Sequence, residues 1–156
     1  GEPVIIDMPG EYAVHGISAQ GFLTARDTEG GQVLGLNTVL AFESEDIHVA
    51  YLGALGHDLS PEILDKLGGT DILFLPVGGK DTLSAEVAAQ LVRKIEPHVV
   101  IPMHYKAPGL TLDLEDESAF CTALGNCPKE RIAKLNIKKK ELEGKNMEVI
   151  LFERGA

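Results

Sequence analysis

Asp71-Ile72-Leu73-Phe74-Leu75, continuing as Pro76-Val77-Gly78-Gly79, is an unbroken apolar run of strand length that ends in two glycines. A half-exposed strand alternates apolar and polar residues, so this run predicts a strand buried on both faces. Ser84 can cap a helix whose Val87, Leu91, Val92 and Ile95 fall on one helical face. Glu96-Pro97 closes that helix, and Val99-Val100-Ile101 is a second buried-type strand that runs into Pro102-Met103-His104-Tyr105. Strand, helix and strand at this spacing predict a parallel βαβ unit with a right-handed crossover.

Upstream of that unit the period shortens. Val4-Ile5-Ile6, Tyr12 to His15, Ile17 to Ala25, Thr38 to Phe42 and Ile47 to Leu52 read as successive strands. Pro9-Gly10, Gly16 and the polar stretch Glu43-Ser44-Glu45-Asp46 separate them as turns. Ser60-Pro61-Glu62 starts a short helix that stops at Gly68-Gly69. Downstream, Asp116 to Leu124 predicts a helix ended by Gly125-Asn126, and Met147 to Phe152 a closing strand. No repeat or low-complexity linker interrupts the chain, so residues 1–156 read as a single α/β domain, a β-meander followed by βαβ.

Composition narrows the function. The 156 residues carry 14 Lys+Arg against 24 Asp+Glu, a formal charge of −10, with 44 % hydrophobic residues. That is enough apolar content for one packed core, and the charge argues against nucleic acid or an anionic membrane as partner. No apolar run is long enough to span a bilayer. Cys121 and Cys127 stand six apart, which fits neither a CxxC motif nor a disulfide scaffold. They are expected as two reduced thiols of a cytoplasmic protein. Gly1 is not a natural start, so the domain is expected to be incomplete at its N-terminus.

Three strand-to-loop passages stand out: Tyr51-Leu52-Gly53-Ala54-Leu55-Gly56-His57, Leu75-Pro76-Val77-Gly78-Gly79 and Ile101-Pro102-Met103-His104-Tyr105. Ligands of open α/β sheets collect beyond the carboxyl ends of the strands, which would bring all three to one rim.

These passages, with Pro9-Gly10-Glu11-Tyr12 ahead of them, occur in the order seen in metallo-β-lactamase-fold proteins. The chain resembles their lactonase-like "metal-dependent hydrolase" branch from Val4 to Phe152. The resemblance implies the C-terminal portion of an αββα sandwich. It also implies zinc, manganese or iron ligands drawn from an early His-x-His-x-Asp-His loop, a mid-chain His, an Asp after a strand and a late His.

The chain departs from that pattern where the ions would sit. His-x-His-x-Asp-His is absent from these residues. The mid-chain His position is Arg26, whose guanidinium has no usable lone pair, and the Asp position is Ala54. His104 alone matches a ligand. Arg26 is expected either at the surface or in the vacated cation site, paired with Asp27 or a ligand anion. His57 is a rim candidate, Gly78 and Gly79 are either a plain helix-entry loop or an anion cradle, and His15, His48 and His98 are expected as ordinary surface histidines.

The reading this supports is a non-hydrolytic protein of the fold, binding a ligand or partner at the old active-site rim, with no cofactor. A divergent branch carrying Gly-Ala-Leu at the Asp position resembles a set of metal-free relatives. The alternatives are a metal-dependent hydrolase using zinc or manganese, its other ligands lying outside this segment, and a self-associating assembly module. A second copy, or an upstream segment, is expected to cover the exposed sheet face.

Overall fold

A computed structural model describes residues 3–153. Seven strands form one sheet in sequence order: β1 (Gly10–Val14), β2 (Ile17–Ala25), β3 (Leu36–Ser44), β4 (Ile47–Tyr51), β5 (Ile72–Pro76), β6 (Val99–Met103) and β7 (Glu148–Val149). The first three pairings are antiparallel and the last three parallel, so a meander passes into βαβ at β4 as expected. Two tight turns set the meander's register. His15-Gly16 and Glu45-Asp46 all have positive φ, the backbone of two-residue hairpins whose twist matches the strands they join.

Helix α1 (Pro61–Lys66) and helix α2 (Ala85–Ile95) start where their Ser-caps stand, Ser60 and Ser84 accepting from Ile63 N–H and Val87 N–H. Helix α3 (Glu117–Leu124) is capped by Asp116 and ended by Gly125 in the left-handed conformation. Helix α2 buries Ala85, Ala88, Ala89, Leu91, Val92 and Ile95 against Leu73, Leu75 and Val100 of the sheet, and α3 adds Phe120. All three helices share one core with this sheet face.

The opposite face is covered unevenly. Under β5 and β6, Ile72, Phe74, Val99 and Ile101 pack against Ile132, Leu135, Ile137 and Leu142 from the chain that follows α3. The register carries this face outward through Tyr51 and Leu40 to Thr38 and Leu23, where among the described residues no helix or sheet lies over it and only the segment Ile6 to Pro9 borders it. Leu23 is 55 % exposed, Leu36 62 % and Tyr51 40 %. The chain exposes 9277 Å² in all, against about 7,600 Å² for a compact chain of its mass, an excess of roughly 1,700 Å². One sheet and one helix layer are what the C-terminal portion of an αββα sandwich supplies.

Several expectations are corrected. Val4-Ile5-Ile6 is not a strand: the chain that follows it, Asp7 to Pro9, lies over Gly21 and Thr38 on the sheet face instead of running beside the free edge of β1. Thr38 Oγ1 donates to Asp7 O at 3.0 Å, and Val4 and Ile5 stay exposed. The closing strand shrinks to Glu148–Val149 plus a bridge between Ile132 and Phe152. A one-turn helix, α4 (Lys139–Leu142), was not expected; its Leu142 is buried while its lysines carry no apolar period.

Cys121 and Cys127 form a disulfide rather than two reduced thiols. The left-handed Gly125 turns the chain back at the end of α3 and brings the two Cα atoms to 4.9 Å, inside the span a disulfide needs. Sequence spacing alone did not reveal that reversal.

At the amino ends of β5 and β6, Asp71 is 1 % exposed yet charged company surrounds it. It accepts from His48 N–H at 2.8 Å and from Lys139 Nζ at 2.6 Å, with His98 Nδ1 3.1 Å away. His48 and His98 are partly exposed, as surface histidines are, but both also face this carboxylate.

Candidate functional site at the strand ends

Strands β2, β4, β5 and β6 all point the same way, because β2 and β4 flank the antiparallel β3. Their carboxyl ends deliver Arg26, the Gly53–His57 loop, Gly78-Gly79 and His104 to one edge of the sheet.

Backbone contacts weld that edge together. Gly56 N–H donates to Ala25 O at 3.1 Å, and a Cβ on Gly56 would lie 1.9 Å from Arg26 O. Only glycine permits that approach. Leu83 N–H donates to Leu55 O at 2.9 Å and Gly79 N–H to Leu83 O at 3.2 Å, joining the β4 loop to the β5 loop. A Cβ on Gly78 would lie 2.1 Å from His104 O, which brings in the β6 end. Arg26, Gly56, Leu83, Gly78 and His104 thus form one continuous rim, with Ala54 on the same loop as Gly56.

Each candidate residue has a definite place. His57 Nε2 accepts from Ala25 N–H at 3.1 Å, so the ring proton is on Nδ1, 2.6 Å from Asp58 O. Both nitrogens are occupied in holding the loop, and His57 offers no lone pair to a ligand. Gly79, at φ +66, uses its N–H within the loop that enters α2, the arrangement of a helix-entry loop rather than an anion cradle. His104 is exposed with φ 52. Its neighbour Tyr105 is fixed by Arg131, whose Nη1 donates to Tyr105 Oη at 3.2 Å while Nη2 pairs with Glu117.

Asn37 was not singled out by sequence reasoning, and Asp27 was named there only as a partner for Arg26. Asn37 donates through Nδ2 to Thr24 Oγ1 at 2.8 Å and Leu52 O at 3.0 Å, and its Oδ1 accepts from Ala54 N–H at 2.9 Å. It ties β2, β3 and the β4 loop at one point. An Asn inside a strand is against strand preference, and that was the available signal. Asp27 accepts from Leu34, Gly31, Glu29 and Val33 N–H at 2.7 to 3.1 Å, which shapes the 28–34 loop. The Leu34 N–H foremost, with the other three, holds its carboxyl below the usual 3.8 against a partial loss of solvation. The expected pairing of Arg26 with Asp27 does not form: Asp27's oxygens are taken, and Arg26 has no ion pair among the described residues.

The residues present do not fit the ion site that the resemblance implies. On the resemblance Ala54 stands at a carboxylate position and Arg26 at an imidazole position; a methyl and a guanidinium offer a cation no lone pair, and His57 is committed to the backbone. Among the described residues no three His, Cys, Asp or Glu side chains are grouped to hold a metal. Of these positions, His104 is the one whose residue type the resemblance matches to a ligand. Nor is any helix among them long and apolar enough to cross a membrane.

Comparison with known proteins agrees with the fold, while several of the relatives are named for a metal. Residues 1–104 match the family profile described as the beta-lactamase superfamily domain. A UPF0173 protein of Pyrococcus abyssi is 34 % identical over 107 residues, 58 % of this chain and 50 % of its own length. A UPF0173 metal-dependent hydrolase of Listeria monocytogenes is 29 % identical over 107 residues, 67 % of this chain and 46 % of its own length. The chain therefore spans about half the length of these curated relatives.

Among solved structures, one from Thermotoga maritima, assigned to the Zn-dependent hydrolases of the metallo-β-lactamase superfamily, superposes with a TM-score of 0.74 at 32 % identity. It covers 94 % of this chain and 70 % of that one. Igni18, a metallo hydrolase of Ignicoccus hospitalis, shares the fold at 19 % identity and TM-score 0.61, over 98 % of this chain and 58 % of its own. With the profile running from the N-terminal segment to His104, and the strand-end rim built as described, the chain belongs to the metallo-β-lactamase superfamily.

Proposed function

We propose that this chain is the strand-end half of a metal-dependent hydrolase site whose cation-binding half comes from residues outside these 156. The carrying observation is His104, delivered to the rim by β6 in a chain 32 % identical, over 94 % of its length, to a structure assigned to Zn-dependent hydrolases. A catalytic zinc needs three protein ligands and an open position, so His104 and two outside ligands suffice even with positions 26 and 54 vacated. No reaction step follows from this chain's residues alone, and its substrate is not fixed by the fold.

The uncovered sheet face supports the same reading. Its apolar side chains adjoin the rim at Gly53 and Ala54, where Leu23, Leu36 and Tyr51 line a cavity of about 580 Å³. Their proposed cover is the protein's remaining part: an excess of roughly 1,700 Å² on one side is about twice what each partner of a standard interface buries, which is the scale of an obligate contact.

A second reading, a non-hydrolytic ligand-binding protein, is favoured by one specific observation: Arg26 and Ala54 remove two ligands at once. Elemental analysis of the natural protein containing this chain, with its mass in solution from light scattering, separates the two. The hydrolase reading expects a metal ion that survives dialysis, and a monomer. A metal-free protein would sink it and leave the second reading. A dimer would contradict the monomer that this reading expects.

A further inference from the structure

We propose that Arg26 makes the strand-end rim a receptor for an oxyanion, a carboxylate or phosphoryl group held by the guanidinium without any metal ion. This names the substrate class for the site of the reading above, and it rests on that reading only for the location of the site.

Three observations carry it. First, the backbone of Arg26 is fixed from both sides: its N–H donates to Gly35 O at 3.0 Å and its carbonyl lies against Gly56. The side chain of Arg26 therefore starts from a fixed point on the rim. Second, Nε of Arg26 is buried and has no hydrogen-bond partner among the described residues. A buried donor left bare is rare in folded proteins, and a bound ion is one of its standard explanations.

Third, the carboxylate next to it in sequence makes no ion pair with it. Asp27 is saturated by four backbone N–H donors. Lys80, the other cation of the rim loops, is paired with Asp113. In a chain of net charge −10, a guanidinium on a fixed backbone, with no ion-pair partner among the described residues, is the feature that attracts an anion. Its planar fork fits the two oxygens of a carboxylate or phosphoryl group, a match that an ammonium lacks.

The test is a titration of the 156-residue chain with inorganic phosphate and, separately, malonate, at low ionic strength with a chelator present. It is read on the arginine Nε–H resonances by NMR. Either anion should shift the Arg26 signal saturably, and the anion that binds tighter assigns the group as phosphoryl or carboxylate. Arg26→Lys should weaken binding about tenfold or more, while Lys80→Ala should leave it within about twofold, since that lysine is engaged elsewhere. An Arg26 signal that moves with neither anion overturns the proposal, as does equal affinity in Arg26→Lys. The Arg26 signal reports on the unaltered chain, so a misfolded variant cannot mask the answer. Because no metal is present, silence would leave the hydrolase reading standing, and a metal-free natural protein would leave this one.

Discussion

Gly56→Ala lowers the stability of the fold by about 3 kcal/mol, near the upper end of what overpacking costs. The added methyl carbon would stand 1.9 Å from Arg26 O and 2.9 Å from Asp27 N. A flexible side chain could rotate away from such a contact, but these are backbone atoms at the end of β2. Relief requires the β4 loop to lift, which breaks the 3.1 Å bond from Gly56 N–H to Ala25 O and strains the Asn37–Ala54 bond beside it. Gly144→Ala is the control: nothing lies within 4 Å of its added carbon, so its change should stay within about 0.5 kcal/mol. Urea unfolding of both variants measures the difference. If Gly56→Ala were as stable as the parent, the close approach of the β2 and β4 loops would be wrong, and the rim with it.

Asp71→Asn should cost about 3 kcal/mol, because it leaves Lys139 and two histidines facing a site built for a carboxylate. Burial pushes the Asp71 carboxyl up, but the Lys139 hydrogen bond, the His48 N–H and the charges of Lys139 and His98 together bring it below 3.8. A carboxyl with a folded pKa below its unfolded one stabilises the fold above the unfolded value. That contribution is lost as pH falls through the folded value. The parent should therefore lose stability below about pH 4 more steeply than Asp71→Asn does, and the two curves should converge in acid. Parallel curves from pH 7 down to pH 2 would mean that Asp71 is not held as described.

Much of the fold was legible because its signals are local. The run Asp71 to Leu75 and the periodic face of α2 each report burial within one element. What was missed depends on partners distant in sequence. Nothing in Val4-Ile5-Ile6 says that β1 will be the sheet's edge strand, and nothing in Lys139 says that a buried Asp71 awaits it 68 residues away. The Cys121–Cys127 disulfide hinges on the left-handed turn at Gly125.

The site divides in the same way. Positions 26, 54 and 104 were picked out by motif, but motif could not show that His57 is spent on Ala25 N–H or that Asp27 is spent on its own loop. Those assignments follow from hydrogen-bond partners, which only the folded chain supplies.

The central claim is that the strand ends form the metal-bearing edge of this superfamily's fold, with cation ligands vacated at positions 26 and 54. Calorimetric titration with Zn²⁺ of the 156-residue chain, of Arg26→His, of Ala54→Asp and of the double variant tests it most directly. Two ligands hold an ion weakly and three can fix it in an open geometry. The parent and both single variants should give negligible heat, and the double variant, which adds an imidazole and a carboxylate to His104, should bind near one ion per chain. Tight stoichiometric binding by the parent, or silence from all four proteins, would contradict the account.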